Sequence, residues 1–196
     1  MDCIEAFILA GGASSRMGSD KSRLLLDGQT FTQRIADKLL QVANKVTTVG
    51  QNSGDPRLTS AEDVYPQWGA LGGVHAALAA CQTAWAFVVA CDLPFVTADL
   101  FVRLATLRED YEAVVPIQAD GRPQPLCSLY RVNPCLRLAG EMIESGERRP
   151  VDLLKTVKTR WLRFAELNDL RNADQFFVNI NTPEDYYEAT RAKLIH

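Results

Sequence analysis

The sequence lacks the features that mark several common protein classes. Its 21 lysines and arginines do not outnumber its 24 acidic residues, and the formal net charge is -3 at pH 7. A general nucleic-acid binder usually carries a basic excess. No apolar run approaches the roughly 18 residues of a membrane-spanning helix, and the segment Met1 to Leu9 has two acids and no basic region, unlike a signal peptide. We therefore expect a cytoplasmic protein that binds neither nucleic acid nor membrane.

Cysteine is present, but not in an informative pattern. None of the five cysteines forms a C-x-x-C pair, which argues against a zinc knuckle or a thioredoxin-like site. Their odd number, in a chain too long to need disulfides, indicates a reducing compartment. The length of 196 residues suits one domain over residues 1–196.

Short apolar runs alternate with amphipathic segments along the chain, which is typical of an α/β sheet built from crossover units. This pattern predicts strands over residues 6–10, 45–49, 85–90, 114–117, 124–130, 161–165 and 177–180. It predicts helices over 31–42, 72–81, 99–107, 134–145 and 150–157, and a last helix that Thr182 caps. A turn signal at 119–121 indicates a hairpin that interrupts the parallel order. The predicted fold is a Rossmann-like three-layer sandwich, with a mostly parallel central sheet, helices on both faces and a small antiparallel excursion in the second half.

A Gly-rich loop, LAGGASSRMGSDK over Leu9 to Lys21, directly follows the first predicted strand. Small residues let backbone N–H groups approach phosphate oxygens, and Arg16 and Lys21 supply cations for the same oxygens. The loop lacks the spacing of a P-loop and that of a dinucleotide-binding G-x-G-x-x-G motif. A flexible turn with incidental charge is the alternative, but the preceding strand and the two cations favour a phosphate loop.

Asp92 follows the apolar strand WAFVVA and precedes Leu93-Pro94. Ligands of open α/β sheets bind beyond the carboxyl ends of the strands, and Mg²⁺ prefers one or two carboxylates together with phosphate oxygens and water. Asp92 is therefore a candidate Mg²⁺ ligand, unless it only caps the turn before Pro94.

The first loop and the segment CDLPF, Cys91 to Phe95, resemble the nucleotidyltransferases with a Rossmann-like domain, and within them the molybdenum cofactor guanylyltransferases. The resemblance implies transfer of GMP from GTP to the phosphate of molybdopterin, with release of pyrophosphate and with Mg²⁺ as cofactor. It implies catalytic roles for Arg16, Lys21 and Asp92. It also implies GTP contacts from a larger set of residues: Leu9, Ala10, Gly11, Gly12, Lys21, Asn52, Asp63, Gly69 and Asp92.

Two details of the loop bear on the substrate. Its Ala-Gly-Gly form resembles the guanine-using members rather than the cytidine-using ones, and Asp20 stands where sugar-phosphate relatives usually carry proline. Ala70 replaces the proline of a family element around Gly69, and Asn52 is offset by a few residues from the family's asparagine. A nucleotidyltransferase with another base or acceptor stays open, as does a non-catalytic nucleotide-binding regulator.

On the acceptor side, three further segments resemble family elements. They contain Arg122, Arg148 with Arg149, and Asn179 with Asn181. Arginines there suit a phosphate-bearing acceptor, although a solvated charge run is an equal alternative. His75 lies among small apolar residues and is expected to be a packing residue. The resemblance also implies transient contact with proteins that deliver molybdopterin or with molybdoenzymes.

Overall fold

The computed structural model describes residues 3–10, 25–180, 182 and 185–186. Nine strands are present in these ranges: β1 (Ile4–Ala10), β2 (Leu25–Leu26), β3 (Gln29–Thr30), β4 (Lys45–Gly50), β5 (Thr59–Ala61), β6 (Trp85–Ala90), β7 (Ala113–Pro116), β8 (Cys127–Arg131) and β9 (Thr159–Leu162). Five α-helices accompany them: α1 (Phe31–Leu39), α2 (Gly69–Ala80), α3 (Ala98–Thr106), α4 (Val132–Glu144) and α5 (Pro150–Thr156).

Seven of the strands form one central sheet in the order β5-β4-β1-β6-β8-β7-β9. Strand β8 runs antiparallel to both of its neighbours, β6 and β7, whereas the other neighbouring pairs of this sheet are parallel. The predicted mostly parallel sheet with an antiparallel excursion is confirmed. The excursion lies inside the sheet, because β8 returns from β7 and pairs along its length with β6.

Helices cover both faces of the sheet, as the alternation of strands and helices predicts. Along β1, Ala6 and Ile8 face a core that includes most of the buried side chains of α1 and those of α3. Phe7 and Leu9 face the opposite core, which includes those of α2, α4 and α5. The side chains of β6 contribute to both cores, which explains why its sequence is apolar throughout.

Threonines cap three helix starts. The backbone N–H of Gln33 donates to Thr30 Oγ1 over 3.1 Å in a capping box. The N–H of Leu100 donates to Thr97 Oγ1 over 3.3 Å, and that of Asp185 to Thr182 Oγ1 over 3.1 Å. The predicted caps at Thr97 and Thr182 are therefore confirmed, and each satisfies a donor that the first helical turn leaves unpaired.

In the last quarter of the chain, the strand predicted over 177–180 is wrong and the one predicted over 161–165 is displaced. The segment predicted over 177–180 is a turn followed by irregular chain. The strand predicted over 161–165 is present as β9 but spans Thr159–Leu162, and a 3-10 helix covers Phe164–Leu167. Phe176 and Ile180 are fully buried, but they fill cores beside the sheet without joining it. A short apolar run indicates burial and does not distinguish a strand from a buried turn.

The short strands β2, β3 and β5 were not predicted. β2 and β3 form an antiparallel ribbon across Asp27-Gly28, whose φ angles of 54° and 78° are typical of a tight hairpin turn. An Asp-Gly pair in the sequence is typical of such a hairpin turn. Within the described ranges, no helix is both long and apolar enough to cross a bilayer.

Candidate active site

The carboxyl ends of β4, β1 and β6 lie side by side at one edge of the sheet. The backbone N–H of Gln51 donates to the carbonyl of Ala10 over 3.0 Å, and that of Cys91 donates to the carbonyl of Leu9 over 3.2 Å. Leu9 and Ala10 are almost fully buried, so a ligand at this edge meets mainly their backbone. The Gly-rich loop continues from this point, and its predicted site residues beyond Ala10 lie outside the described residues: Gly11, Gly12, Arg16 and Lys21.

Asp92 lines a cavity of about 180 Å³ that opens at the same edge. Asn179 and the segment from Gln124 to Leu126 lie on its other walls. The backbone N–H of Ile180 donates to the carbonyl of Asp92 over 3.1 Å, which holds Asn179 beside the end of β6. The structure thus brings together Asp92, Asn179 and the segment after Arg122, which are far apart in the sequence.

Two buried hydroxyls fix the wall formed by Gln124 and Pro125. Ser128 Oγ donates to the carbonyl of Gln124 over 2.6 Å, and Tyr130 Oη donates to the carbonyl of Pro125 over 2.7 Å. Both residues are on β8 and fully buried. Burial raises the pKa of Tyr130 well above its ordinary value, so its hydroxyl stays protonated and keeps donating. This support is not predicted from the sequence, although hydroxyls at two alternate positions of an apolar strand, Ser128 and Tyr130, indicate it.

The segment before α2 is held tightly against the sheet. Asp63 Oδ1 accepts from the backbone N–H of Tyr65 over 3.0 Å. A Cβ at Gly72 would lie 2.9 Å from the carbonyl oxygen of Tyr65 and 2.9 Å from Cβ of Trp68, and one at Gly73 would lie 3.0 Å from Leu9 Cδ1. Glycine is therefore needed at position 72, where the preceding loop approaches so closely, and the side chain of Leu9 on β1 packs against Gly73.

Gly69 begins α2 with a φ of 70°, a left-handed conformation that favours glycine. Since α2 crosses back over β1, β4 and β6, its first turn lies at the same edge as the end of β1. The predicted nucleotide residues Gly69 and Asp63 therefore lie in one segment at this edge. Asn52 follows β4 and is exposed, and its Oδ1 accepts from the backbone N–H of Gly54 over 2.9 Å.

His75 packs beneath this segment. Its ring lies 4.9 Å from the ring of Tyr65, edge to face. Burial lowers the pKa of His75 below its ordinary value, and the charge of Asp63 partly opposes this effect. Nδ1 is buried and has no hydrogen-bond partner among the described residues. These contacts fit a neutral packing residue.

The three predicted acceptor arginines do not line the cavity that the described residues define. Arg122 is exposed at the turn between β7 and β8 and pairs with Asp120, whose pKa is lowered by the hydrogen bond from Arg122. Arg149 pairs with Asp152 over 2.9 Å. Arg148 lies over the ring of Trp68, 4.6 Å from its centroid. Asn181 lies outside the described residues.

The residues around Asp92 suit a metal site with one protein carboxylate better than a site built from several protein ligands. Among residues 3–10, 25–180, 182 and 185–186, no group of three or more His, Cys, Asp or Glu side chains could hold a metal ion. A dedicated protein cage is therefore not formed by these residues. A single carboxylate in an open cavity fits Mg²⁺, which takes most of its ligands from substrate phosphates and water.

The chain is similar to known proteins over most of its length. A family model described as the MobA-like NTP transferase domain matches residues 6–160. A probable molybdenum cofactor guanylyltransferase from Clostridium perfringens is 32% identical, over 97% of this chain and 98% of that protein. A molybdenum cofactor guanylyltransferase from Vibrio atlanticus is 34% identical, over 91% of each.

A solved structure agrees with the fold. The crystal structure of molybdopterin-guanine dinucleotide biosynthesis protein A from Archaeoglobus fulgidus superposes with a TM-score of 0.82 at 22% identity, and covers 98% of this chain and 100% of that one. The extent of the family match, together with relatives above 30% identity over nearly the whole chain, shows that this chain belongs to the MobA-like NTP transferase family.

Proposed function

We propose that this protein transfers GMP from GTP to the phosphate of molybdopterin, releases pyrophosphate and forms the guanine dinucleotide form of the molybdenum cofactor. The observation that carries the proposal is the cavity that joins Asp92 to Asn179 beside the end of β1, where the Gly-rich loop begins. The relatives named molybdenum cofactor guanylyltransferase support the choice of base and acceptor.

In this proposal the triphosphate lies along the loop that follows Ala10, and Arg16 and Lys21 offset its charge. The nucleoside lies against the segment from Asp63 to Gly69, with Asn52 nearby. Asp92 would hold Mg²⁺, and the bound ion would neutralise charge on the α-phosphate as the bond to pyrophosphate breaks.

The acceptor phosphate enters the cavity beside Asn179 and the wall formed by Gln124 and Pro125. A phosphate monoester has its second pKa near about 6, so at neutral pH its oxygen is already an anion and attacks without losing a proton. This agrees with the cavity, where Asp92 is the one ionisable side chain among the lining residues described. The chain contributes mainly positioning and electrostatic stabilisation, and no covalent enzyme intermediate is needed.

We further propose that the reaction takes place in the cytoplasm, and that molybdopterin arrives and the product leaves through transient contacts with other proteins. The absence of a basic excess in the sequence and the small acceptor cavity support a small-molecule substrate over a nucleic acid.

The proposal is tested by incubating the full chain with molybdopterin, Mg²⁺ and each of the four nucleoside triphosphates in turn. We expect pyrophosphate release with GTP. Release with CTP in place of GTP would contradict the guanylyl assignment. Tight nucleotide binding without release from any of the four would favour a regulatory nucleotide-binding protein.

A further inference from the structure

The loop between α4 and α5 contacts the residues that immediately precede α2, Gln67 and Trp68. The indole N–H of Trp68 donates to the backbone carbonyl of Glu147 over 2.8 Å. The guanidinium of Arg148 stacks over the indole, 4.6 Å from its centroid, and its Nη1 donates to the carbonyl of Gln67 over 3.3 Å. Two hydrogen bonds and one cation–π contact therefore join two loops that are 79 to 81 residues apart in the sequence.

The backbone of the contacted segment is strained at Gln67. Gln67 has a φ of 71° although it is not glycine, a conformation that costs about 1–2 kcal/mol for a residue with a Cβ. Such strain persists only where the surroundings hold it. The contacts of Arg148 and Glu147 fall on Gln67 itself and on the next residue, Trp68, so they are placed to hold this conformation.

The position of the segment is coupled to the end of β1. Gly72 lies close against Cβ of Trp68, and Gly73 lies close against the side chain of Leu9, so the first turn of α2 packs directly against both Trp68 and β1. We therefore expect that loss of the contacts from Glu147 and Arg148 shifts the first turn of α2, at the edge where β1 ends.

We propose that Arg148 is a positioning residue for the nucleotide, acting through Trp68 and Gln67, rather than a contact for the acceptor phosphate. The inference rests on the proposed function, since it takes the nucleoside to lie against the segment from Asp63 to Gly69. The family resemblance implies that Arg148 contacts the acceptor, whereas the contacts in the structure place it against the nucleotide segment. The guanidinium is suited to this task, because its planar face stacks on the ring while an edge N–H reaches a carbonyl.

Loss of the Arg148 side chain should weaken the binding of GTP and leave that of molybdopterin nearly unchanged. Arg148→Ala should raise the Kd and KM for GTP about 3- to 10-fold, as expected for the loss of an exposed cation–π contact and one hydrogen bond. The KM for molybdopterin should change less than about twofold, which is within ordinary scatter for an uninvolved site. Arg148→Lys should resemble Arg148→Ala, because a lysine keeps the charge but cannot stack and donate in the same geometry.

The experiment is a double-mutant cycle over Arg148→Ala and Trp68→Ala, with Arg137→Ala as the matched control. Arg137 is an exposed arginine on α4 that pairs with Glu141, and its loss should leave both substrates unaffected. The Kd for each nucleoside triphosphate is measured by calorimetry without acceptor, and both KM values are measured with it. If Arg148 acts in part through Trp68, its removal weakens GTP binding less in the Trp68→Ala background than in the wild type, and the remaining effect comes from the hydrogen bond to the carbonyl of Gln67.

Several results would overturn the inference. These are an additive cycle, an unchanged Kd for GTP, or a rise confined to the KM for molybdopterin, which would return Arg148 to the acceptor. A wild-type protein that binds GTP but releases no pyrophosphate with molybdopterin would defeat the proposed function alone, because the Kd cycle would still stand. A wild-type protein that binds none of the four nucleoside triphosphates would defeat both.

Discussion

The backbone N–H of Ile180 donates a hydrogen bond to the backbone carbonyl of Asp92 over 3.1 Å. Ile180 is fully buried with Leu26 and Phe31 in a small core of its own, so a late segment of the chain is anchored beside the end of β6. The position of Asp92 is thus defined by both the sheet and this segment, which together line the cavity.

Asp92→Asn should abolish turnover while leaving the fold intact. The amide has the shape of the carboxylate but no negative charge to hold Mg²⁺, and loss of such an electrostatic contribution costs about 100- to 1,000-fold or more in rate. The measurement is pyrophosphate release with GTP and molybdopterin, alongside thermal unfolding. The exposed Asp110→Asn is the control, and an Asp92→Asn enzyme with near wild-type turnover would remove Asp92 from its metal role.

Two glycine substitutions should have opposite effects on stability. Alanine at Gly72 would place a Cβ 2.9 Å from backbone and side-chain atoms, so we expect a loss of about 1–3 kcal/mol and weaker GTP binding. Alanine at Gly140 in α4 meets only ordinary contacts, the nearest being His75 Nε2 at 3.7 Å, and should stabilise the helix by about 0.5–1 kcal/mol. Denaturant unfolding of both variants measures the difference, and a stabilised Gly72→Ala protein would contradict the tight packing described above.

Tyr130→Phe should weaken the acceptor site more than the nucleotide site. The variant loses the buried hydrogen bond to the carbonyl of Pro125, at a cost of about 1–3 kcal/mol in stability, and frees the wall of the cavity to move. We expect a raised KM for molybdopterin and a nearly unchanged Kd for GTP. Ser128→Ala, which frees the carbonyl of Gln124, should act in the same direction, and a selective effect on GTP in either variant would count against this cavity as the acceptor site.

His75 should make stability depend on pH below neutrality. Burial lowers its pKa in the folded protein, whereas in the unfolded chain the pKa is near the ordinary value of about 6.5. Below that pH the unfolded chain binds more protons than the folded one, so the free energy of unfolding falls as pH decreases through about 6.5. Between pH 7.5 and 5.5 the wild-type protein should therefore lose more stability than His75→Gln. Equal losses in the two proteins would show that His75 is not responsible.

The sheet was largely predictable because its central strands carry the pattern of burial directly. WAFVVA followed by Asp92 predicts both a covered strand and a ligand at its carboxyl end, and the cavity contains that aspartate. The place of β8 between β6 and β7 was not predictable, because a turn signal indicates a hairpin and does not identify the strand on its other side.

The contact between Arg148 and Trp68 could not be predicted from the sequence. A pair of arginines after Gly146 indicates charge at a loop, and a phosphate is the natural partner to expect. The structure instead places an indole 79 positions earlier in the chain beside that loop. Long-range stacking of this kind leaves no local periodicity or spacing in the sequence.

The most direct test of the proposed guanylyl transfer follows the α-phosphate of GTP. With GTP labelled at that phosphorus, Mg²⁺ and molybdopterin, we expect the label to appear in a guanine dinucleotide of the pterin, in equal amount to the unlabelled pyrophosphate released. Label that remains in free GMP or GDP, or a pterin product that forms only with another nucleotide, would contradict it.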